Sequence, residues 1–145
     1  MPAIPRPVLL LAPLLLAPLV LIPVVLAAAT VPAGASDLDR YRWKSRVLVI
    51  AAEDGDPRAA AQARIAEASA MRERDLVVVR AIGDGRQAAA LRRRLGLPAT
   101  GFRAVLVGKD GGQKLVAAEP IPAETLVATI DAMPMRREEA AGRRN

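Results

Sequence analysis

The stretch Val47-Leu48-Val49-Ile50-Ala51-Ala52 decides the fold. It is an unbroken apolar run rich in β-branched side chains and too short for a helix, which suits a strand buried on both faces of a sheet. Glu53-Asp54-Gly55-Asp56 then turns the chain, and Asp56-Pro57 has the form of a helix N-cap followed by proline at the first helical position. A helix is expected over residues 57–74, with Ala61, Ile65, Ala68 and Met71 inward and Arg58, Gln62, Arg64 and Glu67 turned elsewhere.

Downstream, residues 75–82 read as a second buried strand, closed by Gly83-Asp84-Gly85. A shorter helix over 86–95 places Ala88, Leu91 and Leu95 inward, with Gly96 as its C-terminal cap. Its triplet Arg92-Arg93-Arg94 complements the negative end of the helix dipole and is read as a solvated last turn. Residues 103–107 form a third strand, Lys109-Asp110-Gly111-Gly112 a tight turn and 113–117 the hairpin partner. A last helix starts at Pro122, runs through Leu126, Val127 and Ile130 and ends at Pro134, leaving a charged tail, 135–145, helical only in part. Two strands joined by a helix are parallel with a right-handed crossover. Adding the hairpin and a final helix makes an α/β fold of thioredoxin-like type: a mixed four-stranded sheet flanked by about three helices, with the third strand antiparallel beside the first.

Upstream of the core strand, Arg40-Tyr41-Arg42-Trp43-Lys44-Ser45-Arg46 puts cations at every even position and the rings of Tyr41 and Trp43 between them. Period two is strand geometry. It suggests an edge segment that buries both rings and uses its charges against edge-to-edge association; the alternative is a small platform for an anion or nucleic acid. Four cations beside two Asp make a small footprint, so nucleic acid is not the partner expected.

Further upstream, residues 8–31 carry no charge, after a start whose one cation is Arg6. Ala33-Gly34-Ala35 follows, then Ser36-Asp37. This is the make-up of an N-terminal signal helix cut after Ala35, with Ala27-Ala28-Ala29 as an earlier cut site. The rival is an uncleaved membrane anchor through 8–31, against which Pro13, Pro18 and Pro23 weigh, since each removes a helix hydrogen bond that lipid cannot replace. The expected organisation is a signal peptide or anchor over 1–35, a domain over 36–134 and a charged tail over 135–145. The expected location is periplasmic or secreted, or membrane-anchored if the segment is kept.

The chain has 145 residues, 21 Lys and Arg against 15 Asp and Glu, no His and no Cys. That excludes a thiol nucleophile, a disulfide, an imidazole base and thiol redox chemistry. An exported domain without disulfides is held by its apolar core alone.

The pattern Leu38-Asp39-x-Tyr41-x-Trp43-Lys44-x-Arg46-Val47-Leu48-Val49, then Arg74-Asp75-Leu76-Val77-Val78, Gly108-Lys109-Asp110-Gly111-Gly112 and Ile130-Asp131-Ala132-Met133-Pro134-Met135-Arg136-Arg137, resembles a bacterial family of exported proteins built on one domain of unknown function. It is similar to the thioredoxin-like, peroxiredoxin-related modules of vertebrate sushi-repeat and coiled-coil-domain extracellular proteins. Tyr41, Trp43 and Lys44 belong to the motif that carries the resemblance. The redox relatives put their thiol at the junction of the core strand and the next helix. Here that junction holds Glu53, Asp54, Gly55 and Asp56. Arg103 looks equivalent to the arginine that faces the peroxiredoxin thiolate, and it is expected to pair with Glu53, Asp54 or Asp56.

Glu53, Asp54, Asp56 and Asp84 fall at the carboxyl ends of two parallel strands, where open α/β sheets bind ligands. With Arg103 they make a candidate ligand loop for a divalent cation or an anionic ligand. The simpler reading is that Asp and Glu beside Gly are turn formers and caps. The glycines around Asp84 and Lys109 lack phosphate-loop spacing. The expectation is a non-catalytic exported module that binds another envelope or extracellular protein, with no catalytic residue, metal or cofactor implied. The alternative is an enzyme or metal site using those carboxylates and Arg103.

Overall fold

The computed structural model of the chain describes residues 38–143, so the expected signal or anchor segment lies outside the described residues. A 3-10 turn, Asp39–Tyr41, leads into β1 (Arg46–Ala52), α1 (Pro57–Ala66), α2 (Ser69–Arg72), β2 (Leu76–Ile82), α3 (Arg86–Arg94), β3 (Arg103–Val107), β4 (Gln113–Ala117), α4 (Ala123–Asp131) and α5 (Pro134–Gly142). The sheet order is β2-β1-β3-β4, with β1 parallel to β2 and antiparallel to β3. This is the mixed α/β arrangement expected from the order of elements.

Every residue of β1 is buried, because the strand is flanked by neighbours and covered on both faces. Its even residues Leu48, Ile50 and Ala52 pack with Ala104 and Leu106 against Ala63, Met71, Leu126 and Ile130, on the side of α1 and α4. Its odd residues Val47, Val49 and Ala51 pack with Val105 and Val107 against Ala88 and Leu91 of α3 and against Leu95. A residue's parity in β1 and β3 therefore assigns it to one helical layer. Burying one large aliphatic side chain contributes roughly 1.5–3 kcal/mol, and this doubled core replaces the disulfides the chain cannot form.

Several local expectations are corrected. Residues 40–45 are not a strand. The N–H groups of Lys44 and Ser45 both bond the Tyr41 carbonyl, closing a turn that follows the 3-10 turn Asp39–Tyr41. Tyr41 packs against the odd layer, whereas Trp43 lies in solvent. The expected single helix 57–74 is broken at Ala68, whose extended ψ of 145° re-aims the chain so that Met71 enters the core. Ala68 itself is exposed, and Gln62, expected to face outward, is fully buried. There its amide donates to the Ile121 carbonyl and accepts from the Ile121 N–H. β2 is an edge strand, so Arg80 is exposed at its middle rather than the strand being buried on both faces.

Arg92 is not solvated either: it is buried, with its guanidinium donating to the carbonyls of Pro98 and Gly101. It thereby ties the α3–β3 connection to the helix. Pro134 ends one helix and starts the next, because proline is suited to a first helical position. The charged residues that follow it form α5, so among the described residues four helices of nine or ten residues flank the sheet. The Asp56 N-cap, Gly96 at φ +63° and the 108–112 turn are as expected.

Candidate functional site

The expected ligand loop lies at the end of the sheet formed by the carboxyl ends of β1 and β2 and the start of β3. Asp56 caps α1 by accepting from the Arg58 N–H, and its carboxylate also holds the Arg58 guanidinium at 2.9 Å. The hydrogen bonds from Arg58 keep Asp56 below the usual carboxylate range. Glu53 accepts from the Gly101 N–H at 3.3 Å. Asp54 leans over Gly83, where an added Cβ would sit 2.8 Å from the carboxylate; with φ at +74°, only glycine fits there. Asp84 lies beyond it, on a cleft with Arg92, Arg93 and Leu97.

Arg103 does stand opposite Ala51 in the β1–β3 ladder, but it pairs with none of the three loop carboxylates. Its guanidinium donates to the Phe102 carbonyl at 2.6 Å. Parity gives the reason: Arg103 shares the odd layer of Val105 with α3, whereas Asp56 caps α1 on the even layer, where Arg58 has taken it. Among the described residues no three acidic side chains gather closely enough to hold a metal ion.

The opposite end of the sheet is organised differently. Arg46 opens β1 on the even, core-facing parity with its side chain 1% exposed, and reaches Glu139 of α5. The same carboxylate takes the Lys109 ammonium at 2.7 Å, and Lys109 also holds Asp75 at 2.9 Å. Arg74 clamps Asp131 through two hydrogen bonds of 2.9 and 2.6 Å, and Arg136 adds a third at 3.1 Å. The Lys109 hydrogen bond holds Asp75 below the ordinary carboxylate range, and the Arg74 bond does so for Asp131. Burial pushes Glu139 up, yet its bonds from Lys109 and Arg46 leave it net lowered. Burial likewise pulls Lys109 down, and its two carboxylates more than offset this.

Trp43 is tied to this network through its backbone. Its main-chain N–H donates to the Lys109 carbonyl at 2.6 Å, and its φ is +65°, a region a bulky residue seldom adopts. The indole is 61% exposed, with the Arg42 guanidinium 5.5 Å from the ring centroid. Beside Lys109, a depression of about 240 Å³ is lined by Arg46, Gly108, Lys114, Met133 and Met135.

The segments carrying the family pattern are far apart in sequence, and they converge here rather than at the acidic loops. Of the motif residues, Trp43 is placed at this end and Lys44 is exposed beside it, while Tyr41 is half-buried under the turn. Glu139 was missed by sequence reading. The available signal was the parity of Arg46, which puts a cation among core residues and demands an anion from elsewhere.

Residues 37–139 match the family described as a domain of unknown function, DUF4174, and the chain belongs to that family. The match extends to Glu139, so it takes in every residue of the ion-pair network above. No curated protein and no solved structure matches the chain.

Proposed function

We propose that this protein is an exported, non-catalytic member of its family, related to thioredoxin-like proteins, that works by binding a component of the cell envelope or extracellular space through the end of the sheet bearing Trp43. The observation that carries this reading is the exposed Trp43, whose backbone stands at φ +65° with its main-chain N–H donating to the Lys109 carbonyl. Such backbone strain persists where the surroundings over-determine it, typically at working surfaces. Tryptophan and arginine are also enriched among the residues that carry most of the binding energy of interfaces. The rest of the argument is chemical. At the thiol position of the redox relatives, Glu53 and Asp56 are engaged with the protein's own N–H groups and Arg58, and Asp54 rests on Gly83. Export rests on the uncharged run 8–31 and the Ala33-Gly34-Ala35 junction.

Two measurements test the reading. Mass spectrometry of the envelope fraction should find an N-terminus at Ser36, whereas intact Met1 in membranes supports the anchor alternative. Titration with Mg²⁺, Ca²⁺, Mn²⁺ or Zn²⁺ should leave the melting temperature unchanged. A saturable rise, abolished in Asp54→Asn or Asp84→Asn, would favour the carboxylate-site alternative, since a ligand bound only by the folded state raises apparent stability.

A further inference from the structure

The turn around Trp43 has a chemistry that a generic protein interface does not require. Arg42, Trp43 and Lys44 are consecutive and exposed, and Arg40 stacks on the Tyr41 ring at 4.8 Å just before them. Asp39 is engaged by Arg94 at 2.6 Å and Asp110 by Lys114 at 2.6 Å. Arg42 and Lys44 thus flank one projecting indole. An indole is amphipathic and concentrates at the headgroup level of bilayers, and lysine and arginine near the surface are drawn to anionic lipid. The base of the turn is rigid, since the Trp43 N–H is fixed to Lys109 and the Lys109 ammonium is fixed in turn to Asp75 and Glu139. A rigid base lowers the ordering cost of docking.

We propose that the Arg42-Trp43-Lys44 turn docks on an anionic phospholipid surface, the indole entering the headgroup layer and the cations pairing with lipid phosphates. This rests on the binding-module reading and names the partner of its surface. An acidic protein is the competing occupant, and it is an outcome of the test.

Trp43 is the chain's one tryptophan, so its emission reports on this turn alone. The full-length chain is reconstituted in vesicles of phosphatidylcholine alone and in vesicles containing one-third phosphatidylglycerol, then again with lipids brominated near the headgroup. The apolar run can insert into both, and only docking of the turn separates them. The expected result is a blue shift and bromine quenching in the anionic vesicles, absent in the neutral ones and reversed at 0.5 M salt. Each cation removed should weaken the response roughly fivefold, so the double variant Arg42→Gln, Lys44→Gln loses roughly 25-fold. Its circular dichroism should match the parent, since both side chains are exposed. Equal emission in the two vesicles overturns the proposal. A shift produced by poly-glutamate but not by anionic vesicles overturns it in favour of an acidic protein, and leaves the binding-module reading standing.

Discussion

Arg46 and Glu139 stand 93 residues apart in the chain and meet in a two-pronged pair, Nη1 to Oε2 and Nη2 to Oε1 both at 3.3 Å, which fastens α5 to the first residue of the core strand. The arginine side chain is 1% exposed and the carboxylate 23%, so the guanidinium has little water to fall back on. The residues read from sequence as a charged tail thus contribute the counter-ion of a buried cation.

Removing that counter-ion should be costly. Glu139→Ala leaves Arg46 and Lys109 sharing a cationic site with only Asp75 to compensate. Breaking a buried pair from one side costs about 3–5 kcal/mol, and the partial exposure of Glu139 puts this case at or below the lower bound, about 2–3 kcal/mol. Urea unfolding followed by circular dichroism should show the loss. A change under about 0.5 kcal/mol would mean that α5 is not fastened through this pair.

Acid should loosen the same end of the molecule. Asp75, Asp131 and Glu139 titrate lower in the folded protein than in the unfolded chain. Their contribution is therefore complete above the unfolded values, about 4, and is lost as pH falls through the lower folded values. Lys109 is raised, so its contribution holds up to about pH 10 and is lost only above it. Stability should be flat from about pH 6 to 9 and fall below about pH 4. In Glu139→Gln, in which that carboxylate no longer titrates, the acid slope should be shallower. An unchanged slope would contradict the assignment.

Much of the layering was legible because it follows from periodicity. The apolar run of β1, the Asp56-Pro57 helix start, Gly96 and the hairpin turn all depend on neighbours in sequence, and each is where local chemistry put it. The failures were at residues whose partners are remote. Arg40 to Arg46 alternates like a strand, yet the N–H groups of Lys44 and Ser45 turn back onto the Tyr41 carbonyl and that of Trp43 onto the remote Lys109 carbonyl. Arg92 reads as a solvated cation until the carbonyls of Pro98 and Gly101 fold back on it. For the candidate site, sequence correctly put Arg103 beside the β1 loop but could not assign its face until the β1–β3 register was known. The Lys109–Glu139–Arg46 cluster joins three separate segments, and no spacing rule connects them.

Strain at Trp43 gives a way to separate function from stability. Trp43→Gly removes an exposed indole from a left-handed position that glycine adopts freely. Relief of strain is opposed by the entropy glycine adds to the unfolded chain, so stability should stay within about 1 kcal/mol of the parent. Thermal unfolding checks this. A loss of more than about 2 kcal/mol would show that the indole serves the core and not the surface.

The proposed function places this domain's binding at its Trp43 end and not at the acidic loops of Glu53 to Asp56 and Asp84. Photo-cross-linking in intact cells tests it most directly. A photoreactive residue is introduced in the full-length chain at position 43, and separately at 54 and 84, and irradiated cells are compared by mass. The account predicts a specific adduct from position 43, lipid or protein, lost in the Arg42→Gln, Lys44→Gln background, with positions 54 and 84 giving only solvent-quenched monomer. Specific adducts from 54 or 84, with none from 43, would contradict it.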